Sequence, residues 1–94
     1  MSQSRPRAVV TTRAFARDVK RLRKRGSDMG RLRRVVEALR LGQDLEPRYR
    51  DHPLSGDWHG FRDCHIAPDW VLIYRLDDDA VHLTRTGTHA DLFE

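Results

Sequence analysis

The chain has 94 residues, 38% of them hydrophobic, with one cysteine and a formal net charge of +4. That is enough for one domain, spanning 1–94, with one modest core. It excludes a disulfide framework, a cysteine-based zinc motif and a membrane-spanning helix, since Cys64 is alone and no segment approaches the roughly 18 apolar residues of a span.

The charge is unevenly distributed. Residues 1–50 hold 15 of the 18 Lys and Arg but five of the 14 acids, a net +10, while 51–94 carry a net −6. An arginine-rich half of this density concentrates phosphate polymers around itself and offers them sequence-blind contacts. An acidic protein partner would neutralise the same surface. The opening MSQSRPRAVV has no apolar leader segment, so a reducing cytoplasm is the expected setting.

In chain order, the β-branched run at 8–11 predicts an edge strand, opened by Pro6. Thr11 or Thr12 can then cap a helix through Arg25, with Phe15, Val19 and Leu22 on one stripe and Gly26 as its stop. Asp28 can cap a second helix to Leu41, in which Leu32, Val35, Val36 and Leu39 recur at helical spacing. The short connection between the two makes them an antiparallel hairpin. From Gly42 to Gly60 the periodicity fails, yet the stretch carries Tyr49, His52 and Trp58. So long a connection in so small a domain reads as a functional loop. Three strands follow, over 61–67, 70–76 and 80–86, joined by Pro68-Asp69 and by Asp77-Asp78-Asp79 into antiparallel hairpins. Strand parity puts Phe61, Asp63 and His65 on a face open to a ligand, and Cys64 and Ile66 on a core face. The predicted fold is α+β, a helical hairpin packed on one face of a small sheet.

All five histidines fall after residue 50, within DHPLSGDWHGFRDCHIAPDW and RTGTHADLFE. On this element order, and on the segments RYRDHPLSGDWHGFRDCHIAPDWVLIYRL and RTGTHADLF, the chain resembles the RelE/ParE toxin superfamily, and within it the YafQ branch of bacterial mRNA interferases. DHPL, the G-x-W-x-G turn, the His-x-x-x-Asp-Trp step and R-T-G-[ST]-H carry the likeness together; the basic helices share it only in character.

Breaking RNA by internal attack needs a base for the 2′-OH proton, an acid for the departing 5′-oxygen, and a cation for the charge on phosphate. Histidine suits the first two roles because its ordinary pKa lies near working pH, and arginine's planar fork suits the third. His52, His65, Asp69, Arg85 and His89 supply such a set, with neither metal nor cofactor required. The resemblance implies that His52, His65, Asp69 and His89 are the acid/base and orienting groups and that Arg85 clamps phosphate. It also implies that Trp70 and Phe93 support or stack on the substrate. His89, four residues beyond Arg85, is the expected general acid; the base stays open among His65, His52 and Asp69. Tyr49 in the loop, with Arg21 and Arg25 on the first helix, is a further expected substrate contact.

The implied activity is ribosome-dependent cleavage of messenger in the decoding site, leaving a 2′,3′-cyclic phosphate. The implied partners are ribosome, messenger and a cognate antitoxin, which would also bring the pair to operator DNA; no membrane is involved. Two other readings are a ParE-like poison of gyrase, which needs no acid/base cluster, and a plain nucleic-acid-binding module. Three histidines and an aspartate could converge on zinc, although strand and turn spacing does not favour it. His59 and His82 are expected at the solvated surface, and Trp58 in the packing of the loop.

Overall fold

The computed structural model describes residues 5–93; Met1 to Ser4, within the stretch read above for a leader, and Glu94 lie outside it. The chain runs β1 (Ala8–Thr11), α1 (Arg13–Lys24), α2 (Met29–Arg40), β2 (His52–Pro53), β3 (Arg62–Ala67), β4 (Trp70–Leu76), β5 (Ala80–Gly87) and α3 (His89–Phe93). The helices start where their caps place them. Thr12 accepts the amide of Phe15, and Asp28 accepts the amide of Gly30, each satisfying a donor that the first turn leaves free.

The sheet order is β1-β5-β4-β3-β2. Its last four strands are antiparallel, as expected, but β1 pairs parallel to β5, with Ala8 opposite Ala80 and Thr11 opposite Leu83, so the whole sheet is mixed. The reason is the helical hairpin, which carries the chain away from β1 and returns it through the remaining strands before β5 closes beside it.

The periodicity of β4 divides the interior in two. Trp70, Leu72 and Tyr74 face the helices, with Phe15, Leu22, Leu32, Val35 and Leu39 completing the larger core. Val71 and Ile73 face the other way and are covered by Leu92 of α3 and by Leu54, Trp58 and Phe61. Trp58 and Phe61 meet edge to face at 5.5 Å, so Trp58 packs the loop. The connection read as a functional loop has structure of its own: 42–60 contains β2 and two 3-10 turns, at Pro47–Tyr49 and Gly56–Trp58. Without that loop the outer face of β4 would stand in water.

β1 ends at Thr11, so beyond Leu83 the edge of β5 away from β4 has no strand beside it. Side chains from α1 take over: Thr12 Oγ1 donates to the Thr84 carbonyl at 2.7 Å, and the Asp18 carboxylate accepts the Thr86 amide at 3.0 Å. Buried backbone groups need such partners.

Candidate active site

The turn after β3 and the short helix after β5 bring two predicted residues into contact. Asp69 Oδ1 accepts from the His89 backbone amide at 3.1 Å and lies 2.7 Å from His89 Nδ1. A carboxylate can only accept, so Nδ1 carries the proton and Nε2 faces outward. The His89 hydrogen bonds hold the Asp69 carboxyl below the ordinary carboxylate range. The His65 ring lies 5.5 Å from that of His89, and the exposed Phe93 ring lies 6.1 Å from His89, one helical turn on.

His52 enters from β2, directly opposite Asp63 of β3. Its Nδ1 lies 2.7 Å from the Arg50 carbonyl, which again fixes the proton on Nδ1 and leaves a lone pair at Nε2 of the neutral ring. Arg50 itself is in the left-handed region, at φ 50, a conformation that side chains other than glycine seldom adopt. Asp51 anchors the same segment by accepting from the Tyr74 hydroxyl and from Arg62.

Asp63 lies behind this cluster and was not among the residues singled out as a site. It is 5% exposed, and its Oδ1 has no aligned hydrogen-bond donor although His52 Nδ1 is 3.2 Å away. Burial pushes its carboxyl above the usual value, against the opposing charges of His52, His65 and His89. Parity had put Asp63 on the His65 face; depth of burial is not legible in parity.

Three expected contacts sit differently from the simple reading. Trp70 is 7% exposed and its indole N–H donates to Thr86 Oγ1 at 2.9 Å, so the ring supports the site from the core and has no free face for stacking. Arg21 and Arg25, expected to meet substrate, are engaged within the protein. Arg25 grips Asp91 of α3 at 2.9 Å, while Arg21 donates to Asp18 at 2.8 Å and lies 3.7 Å from Asp91. Arg85 shares the sheet face of Asp63 through Ile73, two strands away. Its Nε and Nη2 are bound to Asp18 at 2.7 and 3.1 Å, which leaves Nη1 as its open corner. Burial acts to raise the Asp18 pKa, but hydrogen bonds from Arg85, Thr86 and Arg21 outweigh it and hold the group ionised below its ordinary value. Of the remaining histidines, His59 is exposed, and His82 is tied to Asp77 at 2.8 Å on the far side of β5's turn.

A second missed feature is α3. Thr88 Oγ1 accepts the Asp91 amide and Asp91 Oδ2 accepts the Thr88 amide, each at 3.0 Å, a reciprocal cap that starts the helix at His89. The signal was legible as Thr-x-x-Asp in THAD. Gly87 must be small here: an added Cβ would lie 2.8 Å from Asp91 Oδ2.

An exposed histidine held by a carboxylate, with a second histidine ring 5.5 Å away, on a helical hairpin packed against a mixed five-stranded sheet, defines a small α+β protein equipped for proton transfer. The family of bacterial toxins of type II toxin-antitoxin systems, YafQ, matches residues 7–94, and the chain belongs to that family. It is 46% identical over 80 residues to the mRNA interferase toxin YafQ of Escherichia coli K12, covering 84% of this chain and 87% of the relative. The crystal structure of YafQ from E. coli BL21(DE3) superposes with a TM-score of 0.89 at 42% identity, over 94% of this chain and 99% of that one. YafQ within the E. coli DinJ-YafQ toxin-antitoxin complex gives 0.88 at 42% identity, over 95% and 99%.

Proposed function

We propose that this protein cleaves messenger RNA on the ribosome by attack of the substrate's own 2′-OH, acts in the cytoplasm, and is neutralised by a cognate antitoxin. The observation that carries the reading is the His89–Asp69 pair, with His65 on one side of His89 and Phe93 on the other. The family supplies the target, since its E. coli member is an mRNA interferase and forms a complex with DinJ. An antitoxin bound to this chain would also carry it to operator DNA.

In the reaction, a base removes the 2′-OH proton, the 2′-oxygen attacks phosphorus, and the bond from phosphorus to the 5′-oxygen breaks. His89, as imidazolium, delivers the Nε2 proton to that leaving oxygen. Asp69 holds the ring by Nδ1 and stabilises its charged form, acting as the orienting member rather than the base. His65, the ring closest to His89, is the base. His52 offers a second basic nitrogen, because the Arg50 carbonyl fixes its tautomer with Nε2 unprotonated. Arg85, braced by Asp18, presents Nη1 to the phosphate, and Phe93 stacks on a base. None of these steps uses a metal. The products are a 2′,3′-cyclic phosphate and a 5′-hydroxyl.

His89→Ala should keep the fold and lower cleavage by about a hundredfold or more, the usual scale for a general acid. A messenger with a 2′-deoxy nucleotide before the scissile bond should bind normally and stay intact. Efficient cleavage of that messenger in single-turnover assays, or a linear phosphate end, would exclude 2′-OH attack and favour a hydrolytic mechanism.

A further inference from the structure

A cavity of about 540 Å³ opens beside His65, between α2, the 3-10 turn at Pro47–Tyr49 and the end of β3. Its walls are Arg31 and Arg34 from the helix, Arg48, Tyr49 and Arg50 from the turn, and His65 with 66–68 from the strand. Four arginines line it. The acids in reach are weak competitors: Arg31 is 3.9 Å from Asp28, and Arg48 is 3.2 Å from Glu46, all four side chains being more than half exposed. Exposed pairs of this kind hold their arginines by little.

The remaining wall is what a nucleotide needs besides charge. Tyr49 offers an aromatic ring, with the Arg48 guanidinium already 4.9 Å from its centroid. Ala67 and Pro68 give an apolar side, and the volume falls within the roughly 300–1,000 Å³ of small-molecule sites. Bases stack on aromatic rings and on guanidinium planes, while phosphates take the arginine forks. The cavity also shares its His65 wall with the reacting cluster, so a nucleotide that fills it lies beside the reacting groups.

We propose that this cavity binds the messenger nucleotide that flanks the scissile phosphate, with Arg31 and Arg34 on its phosphate and Tyr49 against its base. The inference deepens the cleavage reading and rests on it. An acidic peptide would use the arginines but has no need of the ring or of the His65 wall. The left-handed Arg50 joins the two sites: it lines the cavity while its carbonyl sets His52.

The test uses three variants, Arg31→Ala/Arg34→Ala together, Tyr49→Ala and Tyr49→Phe, with wild type alongside. Two readouts are needed: binding to vacant ribosomes, and single-turnover cleavage of ribosome-bound messenger as a function of toxin concentration. The arginine pair and Tyr49→Ala should bind vacant ribosomes within about twofold of wild type yet cleave messenger at least about tenfold more slowly, given ~1–3 kcal/mol per stacked base. Tyr49→Phe, which keeps the ring, should recover most of the cleavage that Tyr49→Ala loses. An equal loss on vacant ribosomes would assign the cavity to ribosomal RNA and overturn the proposal. So would unchanged cleavage in the arginine pair, including the case in which only antitoxin affinity falls. If wild type itself leaves ribosome-bound messenger intact, the cleavage reading fails first, and that outcome is distinct from both.

Discussion

Asp63 is the residue whose position is least economical for the fold and most useful to the site. A carboxylate nearly excluded from water, with one oxygen lacking an aligned donor, destabilises the folded chain wherever it is ionised. Its folded pKa is raised by burial, so its contribution to stability is full below the unfolded pKa of about 3.9 and is lost as pH rises through the folded value. Asp63→Asn should therefore fold at least as stably as wild type at pH 7, read from urea midpoints, and the difference should shrink toward pH 4. Cleavage should nevertheless fall by about tenfold, since the negative charge beneath His52 and His65 is gone. A variant both less stable at pH 7 and fully active would show that Asp63 is only a packing residue.

At the scale of elements, α3 decides where His89 stands, and it is too short to hold itself. Five residues cannot form a stable helix alone; α3 is fixed by the Thr88–Asp91 cap, by Arg25 on Asp91 and by Leu92 in the smaller core. Thr88→Ala should cost about 0.5–2 kcal/mol of stability. Its effect on cleavage should exceed its effect on unfolding, because fraying α3 moves His89 away from Asp69. Gly87→Ala should do the same more severely, its Cβ driving into Asp91; an Ala variant as active as wild type would refute this account of the turn. The neighbouring edge of β5 depends on Asp18. Asp18→Ala leaves Arg85 and the Thr86 amide without their acceptor, and the loss of one partner from a buried pair costs about 3–5 kcal/mol. The same substitution releases the guanidinium proposed to meet phosphate, so activity should fall even in the molecules that remain folded.

Across the whole molecule, the basic half and the titratable half are joined by ion pairs from α1 to β5 and α3. The carboxyls in those pairs are depressed: Asp18 by its hydrogen bonds against the pull of burial, Asp91 first by its hydrogen bond to Arg25. A depressed folded pKa contributes stability that is present above the unfolded value and disappears as pH falls through the folded one. Thermal midpoints should thus be level near neutrality and drop below about pH 4, with Asp91→Asn losing much of that acid-side slope. Arg13, Arg17, Arg23 and Arg33 on the two helices are exposed, so ribosome binding should weaken steeply with salt through counterion release. Salt-independent binding would refute an electrostatic hold on RNA. Among the described residues no helix is long and apolar enough to cross a membrane.

Much of this was legible in the order of residues. Helical spacing, caps and strand alternation are local, so the hairpin of helices, the three final strands and the core face of Cys64 and Ile66 could be read before any coordinates. The spacing of His65, Asp69, Arg85 and His89 among family-like motifs pointed to their chemistry. Contacts between distant segments had no local signal. The parallel pairing of β1 with β5 depends on the return path of the chain, and the pairing of His89 with Asp69 depends on where a five-residue helix docks. Arg21, Arg25 and Arg85 looked free because a sequence lists charges without their partners; Asp91 takes up Arg25 across 66 positions and Asp18 takes up Arg85 across 67, while Arg21 meets Asp18 three residues away on its own helix. Burial likewise belongs to the tertiary structure: between the supporting and stacking roles open to Trp70 it leaves the supporting one, and it placed Asp63 under the histidines, because depth is set by what other segments pack on top.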